Sequence, residues 1–158
     1  MSVVVSIITV YYNTPEEMQK LGASLQKHLA PGSYEWIIAD NHSQEDLSGQ
    51  IANAKYLRMS ENLGFGKACN IAAKEAQAPY LFFLNPDCEL VHDCISPLLA
   101  EMQTSAVAGP VVLNPDGSIQ LSFGPFLSIW NEAQQKRSTS SETSAGTQDW
   151  LRHKTAVK

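Results

Sequence analysis

The eight residues from Val3 to Val10, "VVVSIITV", constrain the fold more than any other stretch. They are β-branched and almost wholly apolar, with no polar residue on alternate positions. A strand with one wet face alternates, whereas a strand covered on both faces does not. This run therefore predicts a central strand of a parallel sheet with helices on each side. Its length falls far short of the ~20 apolar residues that a membrane span needs. It also lacks the basic flank and small-residue cleavage site of a secretory leader, so a cytoplasmic chain is expected.

The following residues repeat a strand–helix alternation. In "NTPEEMQKLGASLQKHLAPG", Thr14 is placed to cap a helix, Pro15 suits its first position and Glu17 completes a capping box. Met18, Leu21, Leu25 and Leu29 make one apolar stripe, and Pro31-Gly32 ends the helix. "EWIIAD" (35–40) reads as a second strand. A short helix is expected over 46–54, then a weaker strand over 55–60. "ENLGFGKACNIAAKEAQA" reads as a glycine-rich loop entering an alanine-rich helix. "YLFFLN" (80–85) reads as another wholly apolar, buried strand. A helix capped by Ser96 should run to about Gln103, followed by strands over 106–113 and 118–123. The alternation defines an α/β fold with a mostly parallel, doubly wound sheet.

Composition narrows the function. The net charge of −5 argues against a sequence-independent grip on nucleic acid, which relies on clustered Lys and Arg. Cys69, Cys88 and Cys94 match no zinc spacing and are read as free thiols. The four histidines are scattered. "GFGKAC" opens like a dinucleotide fingerprint, but Cys69 stands at the third glycine position and the loop follows the third strand. Gly66-Lys67 is no P-loop, because Ala68 stands where Ser or Thr belongs.

Asn-Pro-Asp occurs twice, at 85–87 and at 114–116. The second copy is followed by Gly117 between two strand-like runs, which spells a type I hairpin turn. The first follows an apolar strand and has no glycine after it. Ligands of open α/β sheets bind just beyond the carboxyl ends of the strands, so Asp87 stands where such chemistry occurs. By position alone, it is either a ligand-binding acid or a loop acceptor. The other strand ends deliver Tyr11, Tyr12 and Asn13, then Asp40 and Asn41, then Asn62, Gly64, Gly66, Lys67 and Asn70. Aromatic rings, amides and acids converging on one edge suit a nucleoside, and backbone N–H groups at a glycine-rich helix start favour anions.

With these residues assembled, the chain resembles the family 2 glycosyltransferases, which have the GT-A fold. Within them it is similar to the rhamnosyltransferase-like enzymes that build bacterial surface polysaccharides. "VSIITVYYN", "IIADNHS", "ENLGFGKACNIAAKEA", "LFFLNPDCEL" and "AGPVVLNPDGSIQ" carry the resemblance over about residues 3–123. It implies a nucleotide-sugar donor and inverting transfer to a saccharide or lipid-linked saccharide acceptor. It also implies that Val10 and Tyr12 hold the base and that Asp40 hydrogen-bonds it. Asn62, Gly64 and Asn70 would shape the loop near the ribose and diphosphate, with Lys67 adding positive charge. Asn85-Pro86-Asp87 would be this chain's form of the D-x-D motif, with Asp87 holding Mg²⁺ or Mn²⁺.

The catalytic base of such enzymes lies further along the domain, so it is expected beyond Lys158. The expected organisation is a nucleotide-sugar-binding domain over 1–136, a flexible Ser/Thr-rich loop over 137–148 and the start of a truncated acceptor half over 149–158. In the loop's "RSTSSETSAG", six of ten residues are Ser or Thr. Peripheral association with the cytoplasmic face of the inner membrane, and self-association through an uncovered apolar surface, are further expectations. Two alternatives stay open: a nucleotidyltransferase, and a nucleotide-sugar or partner-binding module without turnover.

Overall fold

The computed structural model describes residues 3–120 and the backbone of Ala156 and Val157. The expected loop over 137–148 and most of the expected segment over 149–158 lie outside the described residues. Four strands form the main sheet: β1 (Val5–Tyr11), β2 (Tyr34–Asp40), β3 (Ala54–Arg58) and β4 (Tyr80–Phe83). Their spatial order is β3-β2-β1-β4 and every pairing is parallel. Helices α1 (Pro15–His28) and α2 (Phe65–Lys74) make the crossovers that parallel pairing demands.

All seven residues of β1 are buried. Val5, Ile7 and Tyr11 face one layer with Met18, Leu21 and Leu25 of α1 and with Ile95 of a third helix, α3 (Ile95–Glu101). Ile8 and Val10 face the opposite layer, with Ala68, Cys69 and Ala72 of α2. The pleat sends alternate side chains to opposite faces, and both are apolar because both are covered. Two polar groups in this core are paired, since the Trp36 indole N–H donates to the Thr9 hydroxyl at 3.0 Å. Gly22 lets α1 lie close to the sheet, because a Cβ there would sit 3.1 Å from the Trp36 ring.

Several local expectations need correction. No helix forms over 46–54: Gly49 and Asn53 take left-handed φ values of 74° and 60°, and the segment is made of turns, one closed from the Gln50 N–H to the Leu47 carbonyl. Thr14 does occupy the cap position of α1, but its hydroxyl makes no cap bond and is buried without a partner. The third helix starts one residue before the expected cap: the Asp93 carboxylate accepts from the Ile95 and Ser96 N–H groups at 2.9 and 3.2 Å. The strand expected over 80–85 is not buried throughout. It is an edge among the described strands, with Leu81 and Phe83 about half exposed (45% and 49%). Beside it, α3 and residues 106–110 border an open apolar groove of about 490 Å³.

A second, small sheet follows, with β5 (Val111–Leu113) between β6 (Ile119–Gln120) and β7 (Ala156–Val157). Strand β5 is shorter than the 106–113 expected; the part of 118–123 beyond Gln120 is outside the described residues. The hairpin joining β5 to β6 is the turn that the second Asn-Pro-Asp predicts. The Gly117 N–H donates to the Asn114 carbonyl at 2.9 Å, and Gly117 has a φ of 83°. The Asp116 carboxylate accepts from both the backbone and the hydroxyl of Ser118.

Candidate functional site

From β1 the chain winds outward to β2 and β3, then crosses back through α2 to place β4 on the other side of β1. The reversal of direction falls between the carboxyl ends of β1 and β4, the switch point at which open α/β sheets form a ligand crevice. Tyr12 and Asn13 leave β1 on one side of this point, and Asn85 to Asp87 leave β4 on the other.

The wall on the β2 side is woven from hydrogen bonds. Asp40 ends β2 with its side chain wholly buried. One carboxylate oxygen accepts from the Ser43 N–H at 2.7 Å; the other accepts from the Tyr56 hydroxyl and the Arg58 guanidinium, each at 2.7 Å. Arg58 also donates to the Ser43 carbonyl at 2.8 Å and lies 3.6 Å from Asp46. Burial and the Asp40 hydrogen bond together push the Tyr56 phenol far above its ordinary pKa, so it stays a donor. The hydrogen bond from the Ser48 N–H, followed by that from its side chain, holds the Asp46 carboxyl below its usual range.

This braced loop grips the exit of β1. The Ser43 hydroxyl accepts from the Asn13 N–H at 3.1 Å, and the Asn13 side chain accepts from the Gln44 N–H at 2.8 Å. The Tyr11 hydroxyl donates to the Glu45 carbonyl at 3.1 Å. Asn13 and His42 both take left-handed backbone (φ 56° and 69°), which Asn and His tolerate better than most residues. Between these anchors Tyr12 is 48% exposed, an aromatic face beside the switch point. Val10 is buried against α2, with Met59 and Ala68 in the same cluster.

The glycine-rich loop is tied to the same edge. The Asn41 side chain donates to the Asn62 side chain and accepts from the Leu63 N–H, each at 2.8 Å. Gly64 then caps α2 with φ 76°, and no side chain caps that helix. Lys67 is exposed in the first turn. Asn70 is also exposed, five residues from the helix start and so about 7.5 Å along the axis.

After β4 the chain turns at Asn85, whose carbonyl accepts from the Cys88 N–H at 3.2 Å. Asn85 and Asp87 are exposed, so Asp87 is free of the core and open to solvent at the sheet edge. The Cys88 thiol lies 3.9 Å from the Asp87 carboxylate, and burial followed by that charge raises its pKa. Among the described residues, no group of three or more acid, His or Cys side chains is built to enclose a metal ion. A lone hard-oxygen ligand in the open fits an ion that takes its other ligands from a bound phosphate and water, as Mg²⁺ commonly does.

The edge thus brings together Tyr12, Asp40, Asn62, Gly64, Asn85 and Asp87, with Lys67 one turn away. An expected base contact through Asp40 would have to reach a carboxylate with no exposed surface and three donors already in place. Tyr56, Arg58 and Ser43 were not among the sequence candidates. The signal for them was the pleat: Asp40 is the register partner of Arg58, and Tyr56 lies two residues before it on the same face.

This fold is an α/β domain with a parallel sheet and helices on both faces, and comparison with known proteins identifies the family. The profile of Glycosyl transferase family 2 matches residues 6–156, and the chain belongs to that family. A teichoic acid poly(glycerol phosphate) polymerase of Staphylococcus epidermidis is 26% identical over 114 residues, which are 67% of this chain and 16% of that protein. The crystal structure of S. aureus TarS 1–349 has a TM-score of 0.58 at 24% identity, covering 70% of this chain and 35% of that one. The same TarS segment in complex with UDP-GlcNAc has a TM-score of 0.57 at 25% identity, covering 70% and 34%. The sheet is therefore the GT-A type, and this chain spans about a third or less of those relatives. The rhamnosyltransferase-like resemblance is not what these relatives carry in their names. Among the described residues, no helix is long and apolar enough to cross a membrane.

Proposed function

We propose that this chain is the donor-binding part of a glycosyltransferase that takes a nucleoside diphosphate sugar and passes the sugar, with inversion, to a saccharide acceptor of a surface polymer. The observation that carries this reading is the switch point between the carboxyl ends of β1 and β4, flanked by an exposed aromatic, a glycine-rich loop and an exposed acid. A TarS structure of the same fold is described as a complex with UDP-GlcNAc, which supports a nucleotide-sugar donor here. Rhamnosyl transfer remains one donor choice within this reading.

Tyr12 offers its ring to the base. Asp40 acts through the 41–47 loop, fixing where Tyr12 and Asn13 stand. Asn62, Gly64 and Asn70 line the ribose and diphosphate, and Lys67 adds positive charge one helical turn inward. Asp87, beside Asn85, would hold Mg²⁺ or Mn²⁺ against the diphosphate. When bound, such an ion supplies Lewis-acid stabilisation of charge on the departing diphosphate. In the transfer, the bond from the anomeric carbon to the diphosphate breaks as the acceptor oxygen bonds to that carbon, and the acceptor proton passes to a base. No described residue is assigned as that base.

Thermal shift with UDP, dTDP and GDP, each with and without Mn²⁺, tests the proposal. At least one diphosphate should stabilise the protein in a metal-dependent way. Asp87→Ala should remove the metal dependence, and Asp116→Ala, in the β5–β6 hairpin, should keep it. No response to any diphosphate would refute the reading.

A further inference from the structure

Asn41 is buried, with 4% of the residue exposed, yet both of its side-chain hydrogen bonds go to a glycine-rich loop 21 or more residues further along the chain. Its backbone N–H extends the β1–β2 ladder by one step, donating to the Tyr11 carbonyl at 2.8 Å. Its amide then spans to the loop: Oδ1 accepts from the Leu63 N–H and Nδ2 donates to Asn62 Oδ1. The same Asn62 oxygen accepts from the Gly64 N–H at 2.9 Å. One side chain thus fixes Asn62, Leu63 and Gly64 together. Asp40, its neighbour, points to the opposite face and braces a different loop. A carboxylate at position 41 could accept from Leu63 but not donate to Asn62, so the amide is matched to both partners.

We propose that Asn41 is a positioning residue for donor binding: it holds the 62–64 loop in the conformation that receives the ribose and diphosphate. This rests on reading the switch point as a nucleotide-sugar site. Without the amide, the loop must be ordered at the moment of binding, and affinity falls by the fraction of molecules in which the loop is already placed.

The test uses the full 158-residue chain. The diphosphate that wild type binds tightest among UDP, dTDP and GDP, and its parent nucleoside, are titrated by calorimetry into wild type, Asn41→Ala and Asn41→Asp. Amide exchange at Leu63 and Gly64 is followed in the same proteins. In Asn41→Ala those two amides should exchange faster, and the diphosphate should bind about thirtyfold more weakly, as expected for two ordinary hydrogen bonds lost. The nucleoside should lose less, so the ratio of the two affinities falls. The defect of Asn41→Asp relative to wild type should shrink as pH falls, because burial at this position favours the protonated carboxyl, which again donates to Asn62. If Asn41→Ala does not fold, Asn41→Asp alone decides the matter by that pH profile. An unchanged affinity ratio, whether or not the amides exchange faster, overturns the proposal. Failure of wild type to bind any of the three diphosphates overturns the donor reading itself.

Discussion

Replacing Arg58 by Met leaves the Asp40 carboxylate buried beside two neutral donors and no cation. Removing one partner of a buried ion pair typically costs 3–5 kcal/mol, because the remaining charge is stranded. Here two features lower that figure. The Arg58 side chain is 37% exposed, so water already screens its half of the pair. Asp40 also keeps its bonds from Ser43 and Tyr56. The expected loss is therefore about 2–3 kcal/mol, which lowers Tm by roughly 5–10 °C for a domain of this size. Urea denaturation with matched slopes reads it directly. Asp40→Asn in the Arg58→Met background should restore part of the loss, since the neutral amide needs no cation. A loss below about 0.5 kcal/mol would show that Arg58 is an ornament of the surface and that the brace does not rest on charge.

Tyr56→Phe should remove a high-pH sensitivity. The Tyr56 pKa is raised in the folded state, so its stabilising effect is complete below the ordinary value of about 10 and is lost as pH climbs above it; wild type should weaken faster than Tyr56→Phe above pH 10 in thermal melts. Glu35 shows the opposite sign. Burial pushes its carboxyl up, but bonds from the Ser6 hydroxyl and the Gln77 and Ala78 N–H groups outweigh this and hold its pKa below the usual range. Its contribution is present above about pH 4.5 and lost as pH falls through the lowered value; the melting temperature of wild type should drop towards that of Glu35→Gln in acid. Gly64→Ala should cost about 1–3 kcal/mol by chemical denaturation with no clash involved, since its φ of 76° is strained for Ala while the space around it is open.

Much of the frame is legible in the chain. The unalternating run at β1 announces burial on both faces, and Met18, Leu21, Leu25 and Leu29 announce the face of α1 that is buried. Asn114 to Gly117 announce their turn through local chemistry alone. What the chain hides is lateral. Tyr80 to Phe83 look as apolar as β1, but apolarity does not tell a strand which neighbours it will have, and β4 has one described partner. The 46–54 segment has helix-like spacing, yet Gly49 and Asn53 in left-handed backbone break it. At the site, Asp40 and Asp87 both look like candidate acids. Only the register that sets Asp40 against Arg58 and Tyr56 separates a buried brace from an exposed acid.

The strand order also dictates a schedule of assembly. Strands β1, β2 and β3 are neighbours in both sequence and space, but β4 must return past them to lie against β1, pairing Val5 with Tyr80. A contact between strands so far apart in sequence raises the contact order, which slows folding. During synthesis, the β4 flank of β1 has no partner until residue 83 has been made, whereas β2 is available to its other side much earlier. The switch point between β1 and β4 therefore cannot exist before β4 is in place, and any ligand held there can bind only afterwards.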